Sequence, residues 1–392
     1  MNNLKIFGTH EPKTIKQMQR VLELGGGIGV LQADGHLGNA FPIGGVWAHP
    51  NLICIQGAGS DLFCGNKAVK TNLKLNDIKS NIEKIMDDIA DQLSFGVGKK
   101  NNYPNSHEIF DDQENWKLPI LLQLKDLAAS QLGTIGSSNH YVDIFSDESE
   151  NIWVGVHFGS RGFGYKIAQH FMHLSGAKDG YENDPTFIKA DSEIGIDYIY
   201  TLGVAGKYAF AGRDWVCDYI TKNILGGNIV EEIHNHHNAV WRENHFGEDY
   251  WVVRKGATPA FPNQKGFVGG SMGDCSVILE GIDSEISKQA LYSTVHGAGR
   301  VMSRTAAKGK FTKNEEGKKI RQEGLVRHDD MMAWLKKVDV VLRGGDLDEA
   351  PQAYRRLPDV LSDHEGTIKI LHTLKPLGVA MAGKDIKDPY KD

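Results

Sequence analysis

The chain has 392 residues, with 44 Lys and Arg against 50 Asp and Glu, a formal charge of −6 and four cysteines. That length can bury a large core, and the acidic balance excludes a protein that coats nucleic acid indiscriminately, because non-specific affinity comes mostly from phosphate neutralisation. No apolar run reaches 18 residues, the segment Met1 to Phe7 lacks the apolar stretch of a signal peptide and the cysteines form no CxxC pair, so a cytoplasmic protein without a membrane partner is expected.

In chain order, residues 13 to 24 carry apolar positions at helical spacing and stop at Gly25-Gly26-Gly27, which predicts a helix with a glycine end. The run Gly25-Gly26-Gly27-Ile28-Gly29 is no dinucleotide fingerprint, since it follows a helix and lacks the glycine spacing. Leu52-Ile53-Cys54-Ile55 reads as a buried strand. Asn76 to Leu93, with Ile78, Ile82, Ile85, Met86 and Ile89, predicts a helix. Asn151 to Val156 is a strand that delivers His157 at its end. Tyr198 to Ile224 is a long helix carrying Cys217, with Gly203, Gly206 and Gly212 as candidate breaks. Tyr250 to Val253 is a strand that delivers Arg254 and Lys255, and Lys308 to Lys319 reads as an exposed loop. Strands and helices alternate without a βαβ period and no repeat or linker is evident, so the expected class is α+β with one domain over residues 1–392.

Cys64, in Gly59-Ser60-Asp61-Leu62-Phe63-Cys64-Gly65, is the one cysteine in polar and glycine company, and Asp61 lies three residues before it. Four histidines stand in similar surroundings far downstream: His140 after Asn139, His157 before Phe158-Gly159-Ser160-Arg161, His237 in His236-His237-Asn238, and His296 in His296-Gly297-Ala298-Gly299-Arg300. A single histidine of this kind is more often a packed or solvated side chain than a ligand. One thiolate, one carboxylate and several imidazoles together form a mixed N/O/S donor set suited to Mn, Fe, Co or Zn, with enough donors for two ions bridged by sulfur. Gly269-Gly270-Ser271-Met272-Gly273 and Gly297-Ala298-Gly299 are candidate phosphate cradles through backbone N–H groups. Lys67, Lys70, Arg254, Lys255, Arg300 and Arg304 are candidates for a local basic patch.

These residues, taken with Asp34-Gly35-His36-Leu37-Gly38, Leu132-Gly133-Thr134-Ile135-Gly136, Arg254-Lys255-Gly256-Ala257 and Asp348-Glu349-Ala350-Pro351, resemble the RtcB-type RNA ligases as an ordered series from about residue 25 to 383. The resemblance implies a large domain of mixed strands and helices around a central metal site. It implies two Mn ions held by Asp61, Cys64, His140, His157 and His237, with Cys64 as the bridge. It further implies GTP contacted by Asn139, His140, Asp143, His237, Asn238, Gly270, Ser271, Met272, Ser276, Gly297, Ala298 and Gly299, with Tyr354 stacked on guanine. His296 would be the nucleophile that becomes guanylated, so that an RNA 3′-phosphate or 2′,3′-cyclic phosphate end is joined to a 5′-hydroxyl end in RNA repair or tRNA splicing. An activating protein is a further expected partner.

Two departures from the family pattern mark this chain. Asp143 stands where the family has Glu, one methylene longer. The family commonly closes on Lys-Gly, whereas Gly383-Lys384 here is followed by eight more residues, and Lys384 either replaces the family's nucleotide-contacting lysine or does not. A divergent paralogue with a narrower RNA substrate would fit both. The alternative reading of the same donors is a binuclear metal phosphoester hydrolase that forms no covalent nucleotide.

Overall fold

The computed structural model describes residues 3–101, 106–313 and 319–384. Its centre is a sheet whose strands run, in spatial order, Lys265–Val268, Ser276–Gly281, Ile368–Gly383, Tyr141–Ser146, Asn151–Phe158, Gly65–Lys74 and Ile229–His236, with Val341–Gly345 added in parallel to Ile368–Gly383. Alternation of side chains across these strands builds two cores at once. Ala68, Phe145, Trp153, Ile233, Phe267, Ile278 and Leu374 fill the inside of the curved sheet. Val69, Val142, Ile144, Ile152, Val154 and Val156 face outward under the helices Ile82–Gln92 and Glu193–Tyr219, which supply Ile85, Met86, Ile89, Val216 and Cys217. Trp153 is fully buried, so truncating it to Ala would cost about 3–5 kcal/mol.

The sheet nearly closes on itself. Between its two outer strands the Asn235 side-chain oxygen accepts from Phe267 N at 2.8 Å, and Asn66 Nδ2 donates to Phe267 O at 3.0 Å. Asn66 and Asn235 are cross-strand neighbours, so two amide side chains stand in for ladder hydrogen bonds at the seam. Such groups must find partners when buried, and outside the seam Lys265 Nζ meets Glu231 at 2.7 Å.

A second sheet is ordered Leu4–Ile6, Ile28–His36, Ile43–His49, Glu248–Lys255 and Asn238–His245, and the short strands Ala257–Pro259 and Ser293–Val295 pair beside it. The chain passes from the first sheet to the second at a single residue, His237, between Ile229–His236 and Asn238–His245. His237 N donates to Cys64 O at 2.9 Å, and its own carbonyl accepts from Ala257 N at 3.1 Å. Every strand that ends or begins near this point brings a motif to the same place, which is how the topology gathers residues far apart in sequence. The α+β class is therefore observed, with mixed strands and helices in one large domain.

Most expected elements appear, with instructive differences. The first helix spans Pro12–Gly25 and ends on Gly26 at φ 67°. The predicted 76–93 helix is divided into Leu75–Ile78, a 3-10 turn Lys79–Asn81 and Ile82–Gln92, with the weak helix formers Ser80 and Asn81 in the turn. The long helix runs unbroken over Glu193–Tyr219 and only then loosens into a π turn at Ile220–Ile224. It begins earlier than expected because the Ser192 side chain accepts from Gly195 N. None of its glycines breaks it, and Gly206 serves packing: a Cβ there would stand 2.9 Å from the Phe63 ring, whereas Gly203 faces open space. His157 lies inside Asn151–Phe158, one residue from its end. The expected 308–319 loop is instead part of an antiparallel pair, Gly309–Lys313 with Lys319–Glu323; residues 314–318 lie outside the described residues.

Candidate metal centre and active site

Phe63 adopts φ 56°, a left-handed turn that is unusual for an aromatic residue. It sits between Asp61 and Cys64 at the entry to Gly65–Lys74, so both donors emerge from one tight turn. Gly159 leaves the space this requires, since a Cβ there would lie 2.3 Å from Asp61 Oδ1. Cys64 Sγ is 3.1 Å from His157 Nε2 and 3.6 Å from His140 Nε2, and His140 Nε2 is 2.9 Å from Asp61 Oδ2. The His157 and His237 rings are 5.0 Å apart. Two overlapping donor groups result, Cys64–His157–His237 and Asp61–Cys64–His140, each with one donor atom per residue and all such atoms within 4.8 Å of one another. They share Cys64.

The electrostatics suit a divalent ion. Burial, reinforced by neighbouring imidazoles, holds His157 and His237 well below the usual histidine range, so both are neutral, the state that metal ligation requires. Burial and the adjacent Asp61 push the Cys64 thiol well above its usual value. Burial also raises Asp61, but His140 and the Arg161 charge overcome it and bring the carboxyl down to about 2. His237 Nδ1 is buried without a hydrogen-bond partner, which an added ion would remedy. His140 turns Nε2 to Asp61 and Cys64 while Nδ1 lies 3.0 Å from the Ile135 carbonyl, the arrangement that orients a metal-binding imidazole. The residues present therefore fit a pair of divalent ions.

His296 follows the strand Ser293–Val295, and its ring is 5.0 Å from that of His237. Nδ1 is 2.6 Å from Asp34 Oδ2, an oxygen that also accepts from the backbone N–H of His296 and Gly297. Asp34 is completely buried. Burial alone would raise its pKa, but the His296 contact and hydrogen bonds lower it, so it is a carboxylate. Gly299 at φ 73° lets the loop close on this strand, where a Cβ would be 2.6 Å from Asp34 O.

One cavity of about 1060 Å³ joins these parts, at the upper end of the range for small-molecule sites. Its lining includes Asp61, Cys64, His140, His157, His237 and His296, together with Asn139, Asp143, Asn238, Gly270, Ser271, Met272, Gly297, Ala298, Gly299 and Tyr354. Ser276 is absent from that lining; its hydroxyl accepts from Gly270 N at 3.0 Å and so braces the glycine loop from behind. Lys384 does not line the cavity either, whereas Val379 and Met381 of the same terminal strand do.

The expected basic patch divides. Lys255, Arg300 and Arg304 line the cavity, but Arg304 is paired with Asp348 and Glu349 and Arg300 lies against Glu349 and Tyr354. Arg254 is instead fully buried and forms a bidentate pair with Glu243 at 2.6 and 3.0 Å. Lys67 points away into Asp214 and Glu232 at 2.5 and 2.6 Å, and Lys70 lies over Trp153. Asp34 enters the sequence reading only as part of a motif. A charged residue inside the apolar strand Ile28–His36 is the signal that singles it out.

Two overlapping metal-donor groups thus stand beside a carboxylate-backed histidine and face glycine loops in one cavity. The family model described as tRNA-splicing ligase RtcB matches residues 17–123 and 120–382. The RNA-splicing ligase RtcB of Escherichia coli K12 is 30% identical over 375 residues, covering 87% of each chain. RNA-splicing ligase RtcB homolog 1 of Entamoeba dispar is 28% identical, covering 95% of this chain and 83% of its own. The tRNA-splicing ligase RtcB of Nanoarchaeum equitans is 27% identical, covering 94% and 88%. The chain belongs to the RtcB family of RNA ligases. No helix among the described residues is long and apolar enough to cross a membrane.

Proposed function

We propose that this chain is a GTP- and Mn-dependent ligase that joins RNA 3′-phosphate or 2′,3′-cyclic phosphate ends to 5′-hydroxyl ends in cytoplasmic RNA repair or tRNA processing. The observation that carries the reading is the Asp34–His296 contact at 2.6 Å, set beside two donor groups that share Cys64. The buried Asp34 carboxylate beside Nδ1 favours the tautomer that carries its proton there and leaves the Nε2 lone pair free for attack.

Asp61, Cys64, His140, His157 and His237 would hold two Mn ions, which supply charge neutralisation for the transferring phosphoryl group and activation of the water that opens a cyclic phosphate. His296 Nε2 attacks the α-phosphorus of GTP; the N–P bond forms and pyrophosphate leaves. The Gly269–Gly273 and Gly297–Gly299 loops would offer the phosphates those backbone N–H groups not already given to Ser276 and Asp34. A 3′-phosphate oxygen of RNA then takes the guanylate, breaking the N–P bond and returning His296 to its starting state. The 5′-hydroxyl of the second RNA attacks the activated phosphate and GMP departs.

A hydrolase would use the carboxylate-backed His296 as a general acid or base, whereas the ligase uses it as a nucleophile that traps the nucleotide. Incubation with α-labelled GTP and Mn, followed by denaturing electrophoresis, tests the proposal: a labelled band, acid-labile and alkali-stable, is expected in wild type and absent in His296→Ala. Wild type that cleaves RNA phosphoesters without ever trapping label would favour the hydrolase.

A further inference from the structure

Arg213 lies within the long helix, fully buried, and none of its hydrogen bonds goes to a carboxylate. Nε donates to His234 Nε2 at 2.7 Å, and one terminal nitrogen meets His236 Nδ1 at 2.7 Å. The other donates to the carbonyls of Phe63 at 3.1 Å and Phe158 at 2.5 Å. Phe63 precedes Cys64, Phe158 follows His157, and His236 precedes His237. One planar guanidinium therefore ties together the carbonyls of Phe63 and Phe158 and the imidazole of His236, residues that adjoin all three members of the Cys64–His157–His237 group.

The surroundings keep that guanidinium in place. Phe210, one turn earlier on the helix, lies against it, with the Arg213 guanidinium carbon 5.6 Å from the Phe210 ring centre. The same ring packs against His234 and His236 at 3.8 and 4.2 Å. Phe63 meets His236 edge to face at 4.7 Å, so the strained turn before Cys64 is clamped on both its carbonyl and its ring. On the outer side, His234 Nδ1 is 3.4 Å from Asp214, which Lys67 holds at 2.5 Å while also pairing with Glu232. The chain of contacts runs from half-exposed carboxylates, through His234, to the buried fork.

A fully buried cation without a carboxylate partner is costly. A buried apolar side chain would fill a helix–sheet interface at less cost, whereas a rigid fork of donors can fix several acceptors in one geometry. We propose that Arg213 is the positioning residue of the metal centre: it sets the spacing of the three strand ends that carry Cys64, His157 and His237. This rests on those three residues being metal ligands.

Lysine keeps the charge but loses the fork, so Arg213→Lys should weaken Mn binding at least tenfold in protein that retains wild-type circular dichroism. Cobalt substituted for Mn should show a weakened thiolate-to-metal absorption band in this variant, because Cys64 no longer meets its partners at the right distance. Arg254→Lys is the matched control, an equally buried arginine bonded to Glu243, Ser293 and Leu291; it should lower the melting temperature and leave Mn affinity and the cobalt band unchanged. Folded Arg213→Lys protein with wild-type affinity and band would overturn the proposal. Should that variant not fold, His234→Leu removes one acceptor of the fork from outside the ligand set. A several-fold loss of Mn affinity is then expected, and unchanged affinity overturns the idea. Wild-type protein that binds no Mn or Co would instead refute the ligand assignment itself.

Discussion

Asp34 Oδ2 and His296 Nδ1 lie 2.6 Å apart although 262 residues separate them in the chain. The carboxylate also accepts two backbone N–H groups, so it cannot swing away from the ring. Asp34→Asn preserves the shape but replaces the fixed acceptor with an amide that can donate. It should reduce formation of the labelled guanylate on the order of a hundredfold or more, by comparison with the loss of an orienting carboxylate in other histidine-dependent centres. Metal content should stay near wild type. Labelling at the wild-type rate in Asp34→Asn would show that the pair does not set the tautomer of His296.

The shared position of Cys64 predicts an unequal pattern of metal loss. Cys64→Ser should lose both ions, whereas Asp61→Asn and His237→Ala should each retain close to one ion per chain when excess metal is dialysed away. His296→Ala should retain two, since it belongs to neither donor group. Metal analysis of the four proteins checks this, and a Cys64→Ser protein with two ions would remove the thiolate from the centre. Uptake of metal by wild type should also release protons, because burial keeps the Cys64 thiol protonated until an ion displaces the proton.

The donor set is legible in the sequence because metal ligands need particular atoms, and Asp61, Cys64 and the histidines stand beside glycine, asparagine or serine instead of in amphipathic runs. Arg213 is not legible in that way. Its partners are the carbonyls of Phe63 and Phe158, and a carbonyl belongs to every residue. The same limit explains Lys67 and Arg254: a basic residue beside a motif reads as a phosphate contact until the fold supplies Asp214, Glu232 and Glu243. Helix periodicity located the Pro12–Gly25 and Glu193–Tyr219 elements, but the seam closed by Asn66 and Asn235 meets Phe267, 201 residues beyond Asn66, and has no local signature.

Acid should destabilise the metal-free protein well above the carboxylate range. His364 is fully buried, accepts from Ala33 N at 3.2 Å and stacks on Phe7 at 4.4 Å. Burial lowers its pKa to about 4, only partly opposed by Asp34. The native state therefore holds it neutral while the unfolded chain protonates it below about pH 6.5. Its contribution is complete above that value and is lost as the pH falls towards 4, a change on the order of 3 kcal/mol. Burial acts in the same direction on His234, lowered to about 3, and on His36, lowered to about 4. Urea midpoints measured with chelator between pH 7 and pH 4.5 should fall steeply for wild type and less steeply for His364→Gln. Parallel curves would exclude His364 as a source of the acid sensitivity.

Asp143 makes the opposite prediction with pH and bears on nucleotide choice. Burial raises its carboxyl well above the usual range, and Oδ1 has no hydrogen-bond partner. Its side chain faces the cavity between Tyr141 and the terminal strand, where Val379 is its cross-strand partner. A raised folded pKa means that stability is complete below the unfolded value near 4 and is lost as the pH rises through the folded value. Asp143→Asn should therefore melt at least as high as wild type at pH 8, with metal content unchanged, while labelling by GTP weakens because a contact to the base is removed. Asp143→Glu extends the carboxyl by one methylene into the cavity and should lower the GTP concentration needed for half-maximal labelling by roughly tenfold, about 1.4 kcal/mol of added binding. If neither substitution alters the GTP dependence, Asp143 does not contact the nucleotide and its unpaired carboxyl serves some other group in the same cavity.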